Sequence, residues 1–438
     1  MRPIRKLVIC GTDGAIAPAA CAAFAAAGIP TALLSRNLDD AEAARARAEQ
    51  LARGKLGPAA ITCGTYASDL GHALADADLV LETAAEDPAI KRELLALIDR
   101  LRCAHSIVAT SASRQSIASL CAERSADFQR NFVGIHLFHP PLAITGCELV
   151  AHAATDPGAI AVVRDFLVGC GREVVEVSDR PGFAGNRVAF KLLNEVAQHA
   201  EQHGVLFMDQ LIGPHTGRSL APLATIDLVG WDVYKAIVDH LHGAVHDAAS
   251  DPFRLPGYLQ RGLDRGHRGL ATRELGGFYR VEGSGRAARR LVLDPATGDY
   301  LPIAEAARPV PPFVEAMKAA IRSRPERGYR GAMEVLCTAT EPAAELLRRI
   351  MLGYISYGLG LVGDVVDRPR DIDRVMCFGF HWAPPSVLVD AIGPGRTIVL
   401  LERARLPVPR PVIDAALHQR ALFDEPRIDH ARLFSAAA

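Results

Sequence analysis

A histidine and a glutamate on neighbouring apolar runs are the residues of this sequence best suited to proton transfer. His136 follows the apolar run 133–135, and Glu148 lies at the start of a second apolar run. A carboxylate that holds one imidazole nitrogen leaves the other free to accept a proton, which makes a general base. The alternative is a structural histidine beside an exposed glutamate, since short patterns of this kind also arise by chance. The pair is a hypothesis that the rest of the chain must support.

Residues 1–182 alternate short apolar runs with helical patterns, and these elements would position the pair. The runs typical of strands are 7–10, 31–34, 79–81, 106–110 and 132–138, and the helical patterns are 15–27, 39–53 and 89–101. Strands separated by helices of this length predict an α/β domain with a mostly parallel, Rossmann-type sheet and helices on both faces. Such sheets bind ligands at the carboxyl ends of their strands, and His136 lies near such an end.

The turn between the first strand and the first helix contains Gly11 and Gly14. The pyrophosphate of a dinucleotide binds at this place in a Rossmann-type sheet. The pattern here, Gly-x-x-Gly-x-x-Ala, is one residue longer than the usual Gly-x-Gly-x-x-Gly. Asp13 lies inside the turn, and a carboxylate about 4 Å from a phosphate charge costs roughly 1 to 4 kcal/mol, depending on screening. The turn predicts a nucleotide site, and a plain strand-to-helix turn is the alternative.

The end of the second predicted strand differs from the usual NAD-binding pattern. An acidic residue there normally binds the ribose hydroxyls, whereas this sequence has Ser35 followed by Arg36. Without the carboxylate, discrimination against a 2′-phosphate is weaker, and Arg36 is placed to contact one. Tolerance of NADP is therefore expected, unless Arg36 is a solvated surface residue.

Helical patterns dominate the rest of the chain. Long helices are predicted at 186–203 and 344–362, residues 288–303 have the pattern of a small hairpin, and 308–312 is a Pro-rich linker. The predicted organisation is a dinucleotide-binding domain at 1–182, a first helical domain at 183–287, a hairpin and linker at 288–312, and a second helical domain at 313–438. No clear short repeat is found, but the two helical blocks are candidates for a degenerate pair of similar domains.

Composition excludes several classes of protein. The net charge is −1, 49% of residues are hydrophobic, and no basic tract rises above the arginine background, so nucleic acid is not an expected partner. No apolar run reaches the roughly 18 residues of a membrane span, and the first residues do not have the pattern of a secretion signal. The nine cysteines include no Cys-x-x-Cys pair, which favours reduced thiols and a cytoplasmic location.

Two histidine pairs can be compared with metal sites. His136 and His139 are three apart on a predicted strand and so face opposite sides, which argues against a shared ion. His242 and His246 have a helical spacing that suits zinc, but no glutamate occupies the position between them that marks a zincin. No metal is therefore expected.

Short motifs spread over nearly the whole chain point to one known family. They are 78–82 with Glu86 and Lys91, 109–113, 134–141, 181–187, 225–230, 277–279, 372–376 and 379–384. Segment 134–141 is similar to a His-Phe-Phe-Asn-Pro motif, and segment 181–187 to a Pro-Gly-Phe-x-x-Asn-Arg motif. In these motifs the chain resembles the L-3-hydroxyacyl-CoA dehydrogenase family. The likeness is greatest to the longer bacterial members, whose dehydrogenase part precedes an enoyl-CoA hydratase domain.

The resemblance implies reversible oxidation of a 3-hydroxyacyl-CoA to a 3-ketoacyl-CoA with NAD. It implies that His136 takes the hydroxyl proton, that Glu148 orients His136, and that Ser113 and Asn186 donate hydrogen bonds to the reacting oxygen or the thioester carbonyl. The residues expected at the cofactor are Gly11, Gly14, Ser35, Arg36, Glu86 and Lys91.

The chain also departs from the family pattern. Ser111 and Ala112 replace the Asn and Thr before the serine, and His139 replaces the Asn of the histidine motif. The changes at Ser111 and Ala112, like Asp13 and Ser35, lie on the expected cofactor side, whereas His139 does not. The four residues expected to carry the chemistry are all present. Two alternatives follow. One is a non-catalytic acyl-CoA- or nucleotide-binding relative, and the other is an NADP-dependent 3-ketoacyl reductase on the same fold.

The partners expected from the resemblance are an acyl-CoA substrate and a second copy of the helical part. The helical half is expected to form a homodimer, or a pseudo-dimeric monomer if its two blocks are duplicates. No hydratase domain follows by residue 438, so a separate enoyl-CoA hydratase is an expected partner.

Overall fold

The structure is a computed structural model, and it describes residues 3–12, 14–57, 60–247, 251–272, 274–285, 288–323 and 328–435. The chain forms two compact units. The first unit comprises residues 1–183 with the short later segments 364–366 and 378–380. The second unit comprises residues 184–363, 367–377 and 381–438.

An eight-stranded sheet forms the centre of the first unit. Its strands are β1 (Leu7–Cys10), β2 (Thr31–Ser35), β3 (Ile61–Thr65), β4 (Leu79–Glu82), β5 (Ile107–Thr110), β6 (Phe132–Leu137), β7 (Gly146–Ala151) and β8 (Glu173–Ser178). They lie in the order β3-β2-β1-β4-β5-β6-β7-β8, and β6 and β7 form the antiparallel pair in an otherwise parallel sheet. The mostly parallel, Rossmann-type α/β domain predicted from the sequence is confirmed.

Seven helices accompany this sheet among the described residues of the first unit. They are α1 (Ile16–Ala26), α2 (Leu38–Ala52), α3 (Leu70–Leu74), α4 (Pro88–Leu101), α5 (Ile117–Cys121), α6 (Ala126–Arg130) and α7 (Pro157–Gly169). Helix α2 shows how they form: its buried residues are alanines spaced three or four apart, and Asn37 caps it by accepting the amide of Asp40. The small alanine side chains let α1 and α2 pack closely on β1 and β2.

The apolar pattern of the sequence does not predict β3 and β8. Both are edge strands of the sheet. In both strands, exposed and partly exposed residues interrupt the buried ones, so no continuous apolar run forms. In β8, for example, Val174 and Val175 are buried while Glu176 is exposed.

The second unit is mainly helical. Its helices are α8 (Gly185–His203), α9 (Val205–Leu211), α10 (Pro222–Val229), α11 (Trp231–Ala244), α12 (Gly257–Asp264), α13 (Ile303–Ala306), α14 (Pro312–Ser323), α15 (Gly328–Thr338), α16 (Pro342–Gly360), α17 (Pro369–Phe380), α18 (Pro385–Ile392), α19 (Pro394–Arg403), α20 (Arg410–Leu417) and α21 (Ala431–Ser435). Strands β9 (Tyr279–Glu282), β10 (Arg289–Leu293) and β11 (Tyr300–Pro302) form an antiparallel sheet. The pairing of β10 with β11 is the hairpin that the sequence predicts at 288–303.

The second unit contains two successive helical blocks, and from the long helix onward their helices follow in the same order. Each block has a long helix of 19 residues, α8 in one and α16 in the other. Each block also has two helices separated by a single glycine. Gly230 lies between α10 and α11 with φ of 94°, and Gly393 lies between α18 and α19 with φ of 96°. The first helix of each such pair begins with a proline, Pro222 or Pro385.

Aspartates accept backbone amides at matching places in the two blocks. The pairs of acceptor and donors are Asp209 with Leu223 and Ala224, Asp373 with Ser386, Asp227 with Phe278 and Tyr279, and Asp390 with Leu422 and Phe423. Asp209 and Asp373 bind the first turns of α10 and α18, where helix amides have no partner within the helix. The same side-chain device therefore fixes the same helix in both blocks.

The two blocks meet in an antiparallel bridge between Arg218 and Trp382. Its hydrogen bonds run from the amide of Ala383 to the carbonyl of Gly217, 2.6 Å, and from the amide of Ser219 to the carbonyl of His381, 3.3 Å. Gly217 and His381 are both left-handed, with φ of 80° and 54°. Each donor and acceptor of one block is matched by its counterpart in the other, so the contact has a local two-fold character. The two blocks therefore share these features of backbone and contact, as the expectation of a degenerate pair requires.

Candidate active site

Strands β6 and β7 place His136 and Glu148 directly opposite each other. The two residues are partners in the antiparallel register, and His136 Nδ1 lies 2.6 Å from Glu148 Oε2. The side chain of Glu148 is fully buried, and that of His136 keeps 12% of its surface exposed. When Nδ1 carries a proton and donates it to the carboxylate, Nε2 is the nitrogen left to accept a proton from a ligand. This arrangement is suited to general-base chemistry.

Two phenylalanine rings flank His136, and the spacing of motifs in the sequence does not single them out. The ring of Phe138 meets the imidazole edge-on at a centroid distance of 4.9 Å, and the ring of Phe183 lies at 5.7 Å. Phe183 has φ of 50° and follows Gly182, which has φ of 73°, so a left-handed turn brings this ring to the histidine. Apolar walls strengthen the electrostatic contact between His136 and its carboxylate. The sequence signal for Phe183 was the Pro-Gly-Phe motif.

Ser113 lies just beyond the carboxyl end of β5 and is held by Glu86. The backbone amide of Ser113 donates to Glu86 Oε1 at 2.9 Å, and its hydroxyl lies 3.4 Å from the same oxygen. Gln115 Nε2 donates to the other oxygen of Glu86 at 3.4 Å. Because β5 and β6 are parallel, the loop that carries Ser113 lies at the same edge of the sheet as His136. The structure therefore places two of the expected residues, Glu86 and Ser113, in contact.

A buried ion pair lies beneath this loop. Lys91 Nζ donates to both carboxylate oxygens of Glu82, at 3.0 and 3.1 Å, and to the carbonyl of Ala84 at 3.0 Å. Thr110 donates to Glu82 Oε2 at 2.6 Å and accepts the amide of Ala112 at 3.1 Å. Burial raises the pKa of the Glu82 carboxyl above its usual value, and the charge of Lys91 opposes that rise. The network links β4 and α4 to the start of the Ser113 loop.

The geometry of this ion pair bears on the role expected for Lys91, which is that of a residue at the cofactor. Its side chain is fully buried, and the three protons of its ammonium group face the two oxygens of Glu82 and the carbonyl of Ala84. An ammonium group has three donors, so none is left to point at a ligand. Glu82 is the residue that sequence reasoning missed here. The signal for it was a carboxylate at the end of an otherwise apolar strand.

The turn after β1 has the geometry of a phosphate-binding turn. Gly11 has φ of 113°, and a Cβ atom there would lie 2.4 Å from the amide nitrogen of Ala84, so this position requires glycine. Gly14 has φ of 73°, and a Cβ atom there would meet no heavy atom within 4 Å among the parts of the chain that are described. Helix α1 begins at Ile16, so the turn lies at the amino end of a helix. This is the place at which a Rossmann-type sheet binds a dinucleotide pyrophosphate. Asp13, which raised the question of charge repulsion, lies outside the described residues.

The end of β2 places Ser35 beside the same turn. Thr12 Oγ1 donates to Ser35 Oγ at 3.0 Å, and the Ser35 side chain is almost wholly buried. Arg36 follows as an exposed residue.

Asn186 is the remaining predicted site residue, and it belongs to the second unit. It lies in the first turn of α8 and is 5% exposed. Its carboxamide makes no hydrogen bond to any residue for which the structure gives a position. A side chain with free donors and acceptors in this place is available to a ligand.

Metal and membrane sites can be considered for the same described residues. Within residues 3–435, leaving aside the stretches that are not described, no three or more His, Cys, Asp and Glu side chains are grouped to hold a metal ion. The described helices include none with the length and apolar character needed to cross a bilayer.

The fold and the chemistry of these side chains define a class of protein. A parallel sheet with a glycine turn after its first strand binds dinucleotides, and a histidine held by a carboxylate at the same edge moves protons. The class is therefore that of the dinucleotide-linked oxidoreductases. Residues 6–180 match the NAD binding domain of 3-hydroxyacyl-CoA dehydrogenase, and residues 182–280 match the C-terminal domain of that enzyme. The chain belongs to the 3-hydroxyacyl-CoA dehydrogenase family.

Individual relatives agree with this placement. A probable 3-hydroxyacyl-CoA dehydrogenase of Deinococcus radiodurans is 32% identical over 56% of this chain and 74% of its own length. A probable 3-hydroxyacyl-CoA dehydrogenase of Bacillus subtilis is 29% identical over 80% of this chain, which spans 43% of that protein. The crystal structure of 3-hydroxybutyryl-CoA dehydrogenase from Escherichia coli has the same fold, with a TM-score of 0.67 and 19% identity over 95% of this chain and 99% of its own.

Proposed function

We propose that the chain interconverts 3-hydroxyacyl-CoA and 3-ketoacyl-CoA, with NAD as the hydride acceptor. The observation that carries this proposal is the 2.6 Å contact between His136 and Glu148 at the carboxyl edge of a dinucleotide-binding sheet. A fully buried carboxylate stabilises the imidazolium that forms when His136 takes a proton. The base and the cofactor turn are then parts of one site.

His136 Nε2 accepts the proton of the substrate hydroxyl while the hydride leaves the carbon that carries this hydroxyl. In the reverse direction the imidazolium returns that proton to the carbonyl oxygen. Glu148 holds the ring in one orientation throughout, because its carboxylate bonds to Nδ1. NAD, when bound, supplies the hydride acceptor. Positioned acid-base groups of this kind typically contribute about 10² to 10⁴-fold to the rate.

Ser113 and Asn186 supply hydrogen-bond donors to the substrate oxygens in this proposal. Glu86 accepts the backbone amide of Ser113 at 2.9 Å and so fixes the serine in place. Asn186 has a carboxamide that is not used within the part of the protein for which coordinates are described. Preorganised donors act strongly where charge develops on an oxygen and water is excluded.

The residues proposed to face the cofactor are Gly11, Gly14, Ser35, Arg36 and Glu86. The two glycines shape the turn for the pyrophosphate, and the other three lie at the ends of neighbouring strands or just after them. Lys91 supports the site indirectly, since its ammonium holds Glu82 beneath the Ser113 loop.

The second unit is proposed to provide the substrate domain and an internal copy of it. Residues 183–287 would form the substrate domain and residues 313–438 the copy, joined by 288–312. The local two-fold contact between the blocks supports a pseudo-dimeric monomer over a homodimer of the first block. A separate enoyl-CoA hydratase is the proposed partner, and the nine free cysteines support a reducing, cytoplasmic location.

The test replaces His136 by glutamine and measures cofactor binding and turnover separately. Acetoacetyl-CoA reduction by the His136→Gln variant is expected to fall at least about 10²-fold, while NADH binding by nicotinamide fluorescence is unchanged. The exposed His105, replaced by glutamine, is the matched control and should keep full activity. Near-full activity of His136→Gln would disprove the role of the base. Wild-type protein that binds NADH but shows no turnover would instead identify a non-catalytic relative.

A further inference from the structure

Arg36 is an exposed cation at the ribose end of the dinucleotide site. β2 ends at Ser35, and Arg36 is the next residue. Its guanidinium makes no ion pair and no hydrogen bond with any of the described side chains or backbone groups. A guanidinium with all its donors available can bind a phosphate through two parallel hydrogen bonds.

Ser35 occupies the position where a carboxylate normally selects NAD. A carboxylate there accepts the ribose hydroxyls and repels a 2′-phosphate, whereas an arginine nearby accommodates that phosphate. The hydroxyl of Ser35 is neutral and is tied to the phosphate-binding turn by the 3.0 Å contact with Thr12 Oγ1. The charge that would exclude a 2′-phosphate is therefore missing from the strand end.

The acidic residues that follow do not replace this carboxylate. Asp39 and Asp40 belong to the first turn of α2, beyond the strand end. Asp40 Oδ2 accepts a hydrogen bond from Asn37 Nδ2 at 2.6 Å, within the capping arrangement of the helix. On the neighbouring strand end, Asp69 accepts the amide of Thr65 at 2.8 Å and the hydroxyl of Ser68 at 2.6 Å. Asp40 and Asp69 are thus engaged in local turns.

We propose that the ribose end of this site accepts a 2′-phosphate, so that the chain binds NADP(H) at least as tightly as NAD(H). Arg36 is the cation of this phosphate subsite, and the hydroxyls of Ser35 and Thr12 complete it. The inference rests on the proposed function, because the subsite has meaning only if the Gly11–Gly14 turn holds a dinucleotide.

The first experiment measures binding without any acyl-CoA. Dissociation constants of NADH and NADPH are obtained by nicotinamide fluorescence, and 2′,5′-ADP is compared with 5′-AMP as a competitor. NADPH is expected to bind as tightly as NADH or more tightly, and 2′,5′-ADP to compete at least about tenfold better than 5′-AMP. Lowering the ionic strength should strengthen the binding of the 2′-phosphorylated ligands more than that of NADH.

Two variants test which residues determine the preference between NADPH and NADH. Arg36→Gln should weaken NADPH binding at least about tenfold more than it weakens NADH binding, because the removed charge is the one proposed to contact the extra phosphate. Ser35→Asp should weaken NADPH and tighten NADH, since it restores the carboxylate. Arg45→Gln, which removes an equal charge from the nearby helix α2, is the matched control and should change neither constant. Melting temperatures of all three confirm that they are folded.

The outcomes separate this inference from the proposed function. If NADH binds and supports acetoacetyl-CoA reduction but binds at least about tenfold more tightly than NADPH, the phosphate subsite is disproved and the proposed function stands. If NADPH binds well and Arg36→Gln does not alter its affinity, Arg36 is not the cation of the subsite and the inference also fails. If neither dinucleotide binds, both proposals are overturned.

Discussion

The two helical blocks of the second unit share the residues that shape the backbone and differ in those available for chemistry. Both have a glycine with positive φ between two helices, a proline at the start of the first of these, and a buried aspartate that accepts its amides. Of the residues proposed for the active site, however, the first block contributes Asn186 and the second block contributes none. The two blocks therefore share residues that shape the backbone, whereas the proposed site draws on the first block alone.

The prediction with the largest expected effect tests whether only one helical block contributes to the reaction. Asn186→Ala is expected to lower turnover of acetoacetyl-CoA by about 10² to 10³-fold, because it removes one positioned donor to a substrate oxygen. Ala343→Ser, in the first turn of the long helix of the second block, should leave turnover unchanged. Steady-state kinetics with both variants decide this. Equal losses in the two variants would show that both long helices support the site.

A smaller effect tests the aspartates that fix α10 and α18. Asp209 accepts two backbone amides and the hydroxyl of Tyr279, while Asp373 accepts the amide of Ser386. Asp209→Ala is therefore expected to cost about 2 to 3 kcal/mol of unfolding free energy, and Asp373→Ala about 1 to 2 kcal/mol. Urea unfolding followed by circular dichroism measures both. A larger loss of unfolding free energy for Asp373→Ala than for Asp209→Ala would contradict the order expected from the number of hydrogen bonds that each aspartate accepts.

The smallest expected difference between the blocks concerns the two glycines. Gly230 and Gly393 have φ of 94° and 96°, which an L-residue adopts only with strain. Each glycine-to-alanine change is expected to cost about 1 to 3 kcal/mol of unfolding free energy. The cost for Gly230 should be slightly greater, because its added Cβ would lie 3.2 Å from Asp232 Oδ1, whereas that of Gly393 has no described neighbour within 4 Å. If the two losses of unfolding free energy differed several-fold, the two glycines would not be equivalent, and the blocks would not be structural copies at this place.

The sequence predicts the sheet well where the strands are buried on both faces. β1, β4 and β5 are uninterrupted buried runs, and each coincides with an apolar run. The edge strands β3 and β8 escape prediction because exposed and partly exposed residues interrupt their buried ones. The relation between the two helical blocks also escapes a search for repeats, since it rests on a few aspartates, glycines and prolines separated by long variable stretches.

The candidate site is predictable to the extent that it depends on single motifs. His136 and Glu148 can be paired from the sequence because their strands are neighbours along the chain. The partners of Lys91 cannot be foreseen in the same way, since a lysine on an amphipathic helix is usually exposed. Its burial depends on the meeting of α4 with the end of β4, where Glu82 takes up its charge. Long-range packing of this kind is not encoded in any one segment.

The bridge between Arg218 and Trp382 has a consequence for how the protein responds to dilution. When two separate chains associate, mass action makes their stability rise and fall with concentration. Here the partners are covalently joined, so each block meets the other at an effective concentration that the length of the connection fixes. The support that the second block gives to α8 is thus independent of how much of the protein a cell contains. Because its contact with the first block does not depend on protein concentration, the second block can change in sequence as long as its bridge and its turns are kept.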